Sequence, residues 1–337
     1  MDPDLAASVV MPTHGRRRSL LRVLRSLGRQ SAPADTFEVI VICDGDVDGS
    51  ARACRELAAD APFALRVLEQ PNQGPASARN NGVAAARAPL IIFLDDDVLP
   101  DEQLVAAHLR AQAGQDRRVT IGPLLPPPDV RLNAWGAWEE RTLCRQYDDM
   151  MAGHYQATRF QFYTGNASVL KQHILDVGGF DPSFRRAEDV ELALRLDEHG
   201  LHFVFLPEAR GWHYVDRTFE SWLRMPAAYG WADVRMARDG RPELLGRVAK
   251  HYRDRALPVR LITELCAGSA GMTRVAVTLL GLLARTADRT HITMLGNAAC
   301  SLIFNLRYYD AVAGALGGRT TLLRLLGGDQ PPPPSSA

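Results

Sequence analysis

The chain has 337 residues, with 39 basic and 39 acidic side chains and a formal net charge of zero. That length can bury a sizeable core, as one large domain or a domain with an appendage, and the neutral balance supplies no global basic field for nucleic acid. Five cysteines, Cys43, Cys54, Cys144, Cys266 and Cys300, show neither Cys-x-x-Cys pairing nor disulfide density, which points to a reducing compartment. Met1-Asp2-Pro3-Asp4 lacks the basic start and apolar core of a signal peptide, and no uncharged apolar run reaches the length of a membrane span. The expected location is cytoplasmic, with a peripheral seat at the inner face of the cell membrane as its variant.

In chain order, Ser8 to Pro12 reads as a short strand and Arg16 to Arg29 as an amphipathic helix with Leu20, Leu21, Val23, Leu24 and Leu27 on one broad face. Phe37 to Cys43 is a second strand, ending in the acids Asp44, Asp46 and Asp48; Ser50 to Ala59 is helical, and Leu65 to Leu68 is a third strand. A turn from Gln70 to Pro75 leads into a helix over Ala76 to Ala86, and Leu90 to Leu94 is a continuous apolar run of strand length. Repeated strand–helix alternation implies right-handed crossovers and a mostly parallel sheet. Asp95, Asp96 and Asp97 follow at the carboxyl end of the fourth strand, where open α/β sheets bind ligands. Three adjacent carboxylates repel, and a bound cation is one remedy. An acid here can equally serve as the cap of a helix over Asp101 to Ala113.

Beyond that helix the alternation lapses. Gly122 to Pro128 reads as an extended connector, Asn133 to Met151 as a helix carrying Trp135, Trp138 and Tyr147, and Phe160 to Leu170 as a strand with Gly165-Asn166 in its middle. Gly178 to Pro182 is a turn, Glu188 to Glu198 a helix, and Phe203 to Leu206 a strand leading to Trp212, His213 and Tyr214. From about Glu220 the pattern is helical, and Gln330 to Ala337 is a proline-rich tail expected to be disordered. The expected division is residues 1–219, 220–328 and 329–337. Val275 to Ala284, between Arg274 and Arg285, and Ile292 to Leu306, between Arg289 and Arg307, read first as helices packed on the rest of the chain or on a second copy. The other reading is an interfacial hairpin at a lipid surface.

No P-loop or Gly-x-Gly-x-x-Gly is present, so a phosphate held at acidic strand ends needs a shared divalent cation. Four segments, Val9 to Thr13, Val39 to Gly45, Asn72 to Gly82 and Phe93 to Asp97, resemble in order and spacing the nucleotide-sugar domain of glycosyltransferase family 2. Gly165-Asn166, Gly178 to Asp181, Ala187 to Leu192, Pro207 to Ala209 and His213 extend the resemblance over roughly residues 7–215. It implies a GT-A fold, an α/β architecture with a mostly parallel central sheet and flanking helices, here with a helical C-terminal extension. It also implies metal-dependent, inverting, non-processive transfer of a hexose from a nucleoside diphosphate sugar, with uridine the commonest base among relatives. The acceptor would be a glycan, a lipid-linked molecule or a small molecule.

Carried over by position, the resemblance places Pro12, Thr13, Asp44, Arg79, Asp95 and Asp96 at the donor, with Asp97 and His213 as ligands of Mn²⁺ or Mg²⁺. Asn166, Glu188 and Trp212 would face the acceptor and Asp189 would be the catalytic base. His14-Gly15 replaces the family's usual Tyr-Asn, Asp46 stands where Ser is usual, and the Gln-x-x-Arg-Trp signature of processive synthases is absent. Each residue also has a plainer reading: Glu188 and Asp189 suit the first turn of any helix, Arg79 suits a surface, His213 a buried hydrogen bond, and Trp135 and Trp138 a core. A rival from another class takes the Val39 to Val47 segment as a haloacid-dehalogenase-like phosphatase start with Asp44 as nucleophile.

Overall fold

The computed structural model describes residues 5–214 and 217–328, and the proline-rich tail expected over 329–337 lies outside them. The described residues form two compact units, one of residues 5–130 with 142–214 and the other of residues 131–141 with 217–328. Residues 131–141, which the expected division assigns to the first domain, group with the C-terminal helices.

In the first unit, strand β1 (Ala7–Thr13), helix α1 (Arg17–Leu27), β2 (Phe37–Asp44), α2 (Ser50–Ala58), β3 (Ala64–Gln70), α3 (Pro75–Ala85) and β4 (Leu90–Leu94) follow one another as the alternation predicts. Then come β5 (Val98–Pro100), α4 (Leu104–Gln112), β6 (Arg118–Ile121), β7 (Leu124–Leu125), α5 (Ala134–Met151, whose residues up to 141 belong to the second unit), β8 (Asn166–Leu170), α6 (Lys171–Asp176), α7 (Glu188–Glu198), β9 (His202–Phe205) and β10 (Gly211–His213). Seven strands form one sheet in the order β3-β2-β1-β4-β8-β6-β9. β3, β2, β1 and β4 are parallel, β8 runs antiparallel to both β4 and β6, and β6 and β9 are parallel.

Period-two alternation divides the strand residues between two cores. Val9, Met11, Val39, Val41, Ile92 and Leu94 pack with Leu20, Val23 and Leu24 of α1. Val10, Ile40, Ile42, Ile91 and Phe93 pack instead with Ala76, Ala78 and Val83 of α3 and Leu192 and Leu196 of α7. This is why the strands read as continuous apolar runs: both faces of the sheet are covered.

Helix α3 lies very close to the sheet. A Cβ at Gly82 would stand 2.4 Å from Val10 Cγ1 and 2.7 Å from Ile42 Cδ1. Gly82→Val should therefore cost about 1–3 kcal/mol by overpacking, read as a Tm lowered by several degrees in a thermal melt. An unchanged Tm would mean that α3 can shift freely.

Three expectations need correction. The Gly122 to Pro128 connector contains β7, which pairs with β10 in a separate three-stranded sheet of order β5-β10-β7. Two residues are too few for any period to register. The strand expected from Phe160 begins only at Asn166, because Thr158 and Gln161 form a capping box around a 3₁₀ turn, Arg159–Gln161. The helix expected from Asp101 begins at Leu104, since Val98–Pro100 is drawn into β5 and the Asp101 carboxylate accepts from the Gln103 N–H (3.1 Å). Helix α6 and strands β5, β6 and β10 were not anticipated.

The second unit is helical: α8 (Phe219–Arg238), α9 (Glu243–Arg253), α10 (Leu257–Cys266), α11 (Ala270–Thr290), α12 (Thr293–Ala315) and α13 (Arg319–Gly327). Its core gathers Leu306, Tyr309 and Val312 of α12 with Val234, Val248, Tyr252 and Leu322. Trp222 is fully buried, with the Trp138 ring 5.9 Å away, and Trp135 meets Phe219 at 5.2 Å. The two α5 tryptophans pack, partly buried, against the core of this unit. Of the two predicted apolar helices, α12 supplies the core, whereas Val275, Leu279 and Leu282 on α11 and Leu257, Leu261 and Leu265 on α10 are exposed. Among the described residues no helix is long and apolar enough to cross a membrane.

Candidate active site

The buried β4 ends at Leu94, and the chain turns at once, the Asp95 carbonyl accepting from the Val98 N–H (3.1 Å). The turn holds three carboxylates together, and two arginines relieve their repulsion. Asp95 accepts from Arg79 Nη2 (2.9 Å). Asp96 accepts from the Thr13 hydroxyl (2.6 Å) and from Arg16 Nη1 (3.1 Å), which also meets Asp97 at 2.5 Å. Burial pushes Asp96 up to about 6, with Arg16 pulling the other way.

Pairing of β10 with β5 sets His213 opposite Val98, the residue after Asp97. His213 Nε2 lies 3.7 Å from Asp97 Oδ1, and the Tyr214 N–H binds the Asp97 carbonyl at 2.9 Å. A carboxylate and an imidazole this close, beside a second carboxylate already holding a cationic group, make a donor set that suits a divalent cation. The Arg16 side chain is half exposed on a flexible stem, so it can withdraw.

On the other side of the triplet, Arg79 is buried and joins two elements far apart in the chain. Its Nη1 donates to Glu188 at the start of α7 (2.8 Å) while Nη2 holds Asp95. Its Nε is buried without a partner. Asp189 follows Glu188. Loss of hydration, then the Glu188 charge, pushes Asp189 up to about 7, against the Val190 N–H and the Arg79 guanidinium. Ala187, just before them, sits at φ 59°, a left-handed conformation that costs a non-glycine residue roughly 1–2 kcal/mol; it sets the angle at which α7 departs.

The expected donor residues Pro12, Thr13, Asp44, Arg79, Asp95 and Asp96 all lie at or beside the carboxyl ends of β1, β2 and β4 or on α3. Thr13 is committed to Asp96. The Asp44 carboxylate accepts from the backbone N–H groups of Gln73 (2.7 Å) and Gly74 (2.8 Å) and from Gln70 Nε2 (2.8 Å), which ties the loop before α3 to β2. The expected acceptor residues diverge. Glu188 is in the cluster, and Trp212 is partly buried on β10 opposite Leu99. Asn166 is fully buried and its amide is spent on structure: Nδ2 donates to the Ala209 (2.7 Å) and Pro123 (3.2 Å) carbonyls, and Oδ1 meets His108 Nε2 (3.0 Å). It braces strand β8. Burial lowers His108 to about 4, so this brace is neutral.

The profile of the family "Glycosyl transferase family 2" matches residues 8–180. The chain belongs to glycosyl transferase family 2. Among curated members it is 27% identical over 246 residues to an uncharacterized glycosyltransferase, YfnE, of Bacillus subtilis (strain 168), with 59% of this chain and 62% of that protein covered. It is 33% identical over 230 residues to the validoxylamine A glucosyltransferase of Streptomyces hygroscopicus subsp. jinggangensis (strain 5008), covering 60% and 54%. The chain thus spans less than two thirds of the length of these relatives.

Among solved structures the fold resembles a mannosyltransferase from Pyrobaculum calidifontis in complex with GDP-Man and Mn²⁺, at TM-score 0.56 and 18% identity over 90% of this chain and 87% of that one. It also resembles S. aureus TarS 1–349 in complex with UDP, at TM-score 0.53 and 15% identity over 91% and 90%. The GT-A fold is shared with both. Family membership disposes of the phosphatase reading, and Asp44, held by two backbone N–H groups, is a loop anchor in this structure.

Two residues beside this cluster escaped the sequence reading. Arg16 opens a run of three arginines just past β1, and that basic run opposite the acidic triplet was the available signal. Arg185, exposed in the loop before α7, lies over Gly74, where a Cβ would come within 2.8 Å of its Nη1. Gly74 is at φ 92° as well, so both space and backbone favour glycine.

Proposed function

We propose that the chain transfers one sugar at a time from a nucleoside diphosphate sugar to an acceptor hydroxyl, with inversion at the anomeric carbon. The observation that carries this reading is the Arg79 bridge, which joins Asp95 at the strand ends to Glu188 and so sets Asp189 beside the acidic triplet. In this reading Asp189 accepts the acceptor's proton as its oxygen attacks. Pro12, Thr13 and Asp44 bound the nucleoside end of the donor site, Asp95 and Asp96 flank the sugar, and Glu188 holds Arg79 in place. Asp97 and His213 would hold Mn²⁺ or Mg²⁺, which supplies charge neutralisation for the departing diphosphate. Trp212 is assigned to the acceptor side, and the acceptor is a glycan, a lipid-linked molecule or a small molecule. A uridine donor is the first choice.

Release of nucleoside diphosphate from a panel of nucleotide sugars, followed alongside phosphate-monoester hydrolysis, tests the assignment. Release from at least one donor is expected, with none from the monoester; the reverse pattern would sink it. The pH dependence follows from Asp189. A base raised to about 7 is protonated, and idle, below that pH. The rate should therefore fall as pH drops through about 7 and level off above it. A rate flat down to pH of about 5 would remove Asp189 from the role.

We also infer that the exposed apolar face of α10 and α11 rests on an anionic lipid surface. Exposed Arg274 and Arg289 stand near the two ends of α11, where headgroup phosphates would meet them. Leu279→Glu lies on this face and outside the core. Wild type should float with anionic vesicles and the variant should not. Equal flotation of both, or a wild-type dimer that fails to float, would assign the face to another use.

A further inference from the structure

A second group of metal-ligating side chains lies at the opposite end of α7 from Asp189. His173 on α6, Asp176 at the end of that helix and His199 at the end of α7 place one ligand atom each within 4.8 Å of one another. His199 Nε2 is 3.7 Å from Asp176 Oδ2. The other Asp176 oxygen accepts from Gln172 Nε2 (2.7 Å), and the His199 carbonyl accepts from Arg117 Nη1 (2.8 Å), so both the carboxylate and the helix end are oriented.

His173 shows what the group is suited to. It is 6% exposed, and its Nε2 sits 2.7 Å from the Asp116 carbonyl oxygen. A carbonyl can only accept, so Nε2 carries the proton and Nδ1 of the neutral ring is a bare lone pair. That Nδ1 is buried and has no hydrogen-bond partner. A histidine with one N–H fixed on a backbone carbonyl and the other nitrogen left bare is the arrangement that metal-bound imidazoles adopt.

We propose that His173, Asp176 and His199 form a binding site for a zinc-class divalent ion. Two imidazoles and one carboxylate suit a borderline transition metal rather than the harder Mg²⁺ or Ca²⁺. Zinc bonds of about 2.0–2.2 Å require the ligand atoms to close by roughly an ångström, which the exposed Asp176 and half-exposed His199 can do by side-chain rotation. The ion staples the end of α6 to the end of α7, the helix whose first turn carries Glu188 and Asp189. The site shares no residue with Asp97 and His213, so it stands or fails independently of the proposed transferase chemistry.

The test is a competition titration of Zn²⁺ on the full chain without a histidine tag, with Co²⁺ absorption as a second readout. Wild type should bind one zinc ion per chain at this site, gain Tm in zinc, and give the visible bands of low-coordinate Co²⁺. His199→Ala and Asp176→Asn, both at the surface and away from the core, should each weaken zinc binding by about tenfold or more, whereas Asp97→Ala should leave it intact. Zinc binding of equal strength in wild type and in both surface variants overturns the proposal. So does a wild-type chain with no micromolar zinc binding.

Discussion

Replacing Asp189 by asparagine should leave the fold and donor affinity intact and reduce transfer by about 10²–10⁴-fold. The amide keeps the shape of the side chain and removes only its capacity to take a proton. Arg79 remains paired with Glu188 and Asp95, because neither contact involves Asp189. A loss confined to kcat, with KM for the donor little changed, is the signature of an interaction used only in the transition state. Transfer within a few-fold of wild type would move the base elsewhere, and Glu188, next in the chain and already buried against Arg79, would be the first place to look.

Asp97→Ala should have an effect of similar size by a different route. The variant removes one of the two carboxylates that hold Arg16 and the partner of His213. Asp96 keeps its bonds to Thr13 and Arg16, and Asp97 lies past the end of β4, so the fold should persist. With its carboxylate ligand gone, Mn²⁺-dependent donor binding should disappear and transfer fall by about 10²-fold or more, the equivalent of several kcal/mol of charge stabilisation. Equilibrium dialysis of donor with and without Mn²⁺ checks it. Donor binding that remains tight and Mn²⁺-dependent in the variant would refute the metal role of Asp97.

Where the chain is regular, its fold was legible residue by residue. Strands β1, β2 and β4 are largely apolar runs ended by turn residues or acids, and α7 begins and ends where the sequence places it, because one side chain after another obeys the same period. Legibility fails where structure depends on a partner distant in sequence. Strand β7 is two residues that exist only because Gly211 and Trp212 pair with them. Asn166 lies in a segment that matches a family pattern, yet it is the burial of His108, Pro123 and Ala209 around it that consumes its amide. Arg16 carried no periodic signal at all; its position follows from two carboxylates at the end of the neighbouring strand β4. For α11 the sequence left packing and a lipid surface both open, since its apolar spacing is that of any packed helix; Val275, Leu279 and Leu282 are exposed because α12 took the core position.

In the proposed function a nucleoside diphosphate sugar binds at the carboxyl ends of β1, β2 and β4, between Asp97 and Asp189. Titration calorimetry of wild type, Asp97→Ala and Asp189→Asn with a panel of nucleotide sugars in Mn²⁺ addresses it directly. At least one donor should bind wild type and Asp189→Asn with similar affinity and fail to bind Asp97→Ala. Binding of a donor with equal strength to all three proteins, or of none to the wild type, would contradict the account.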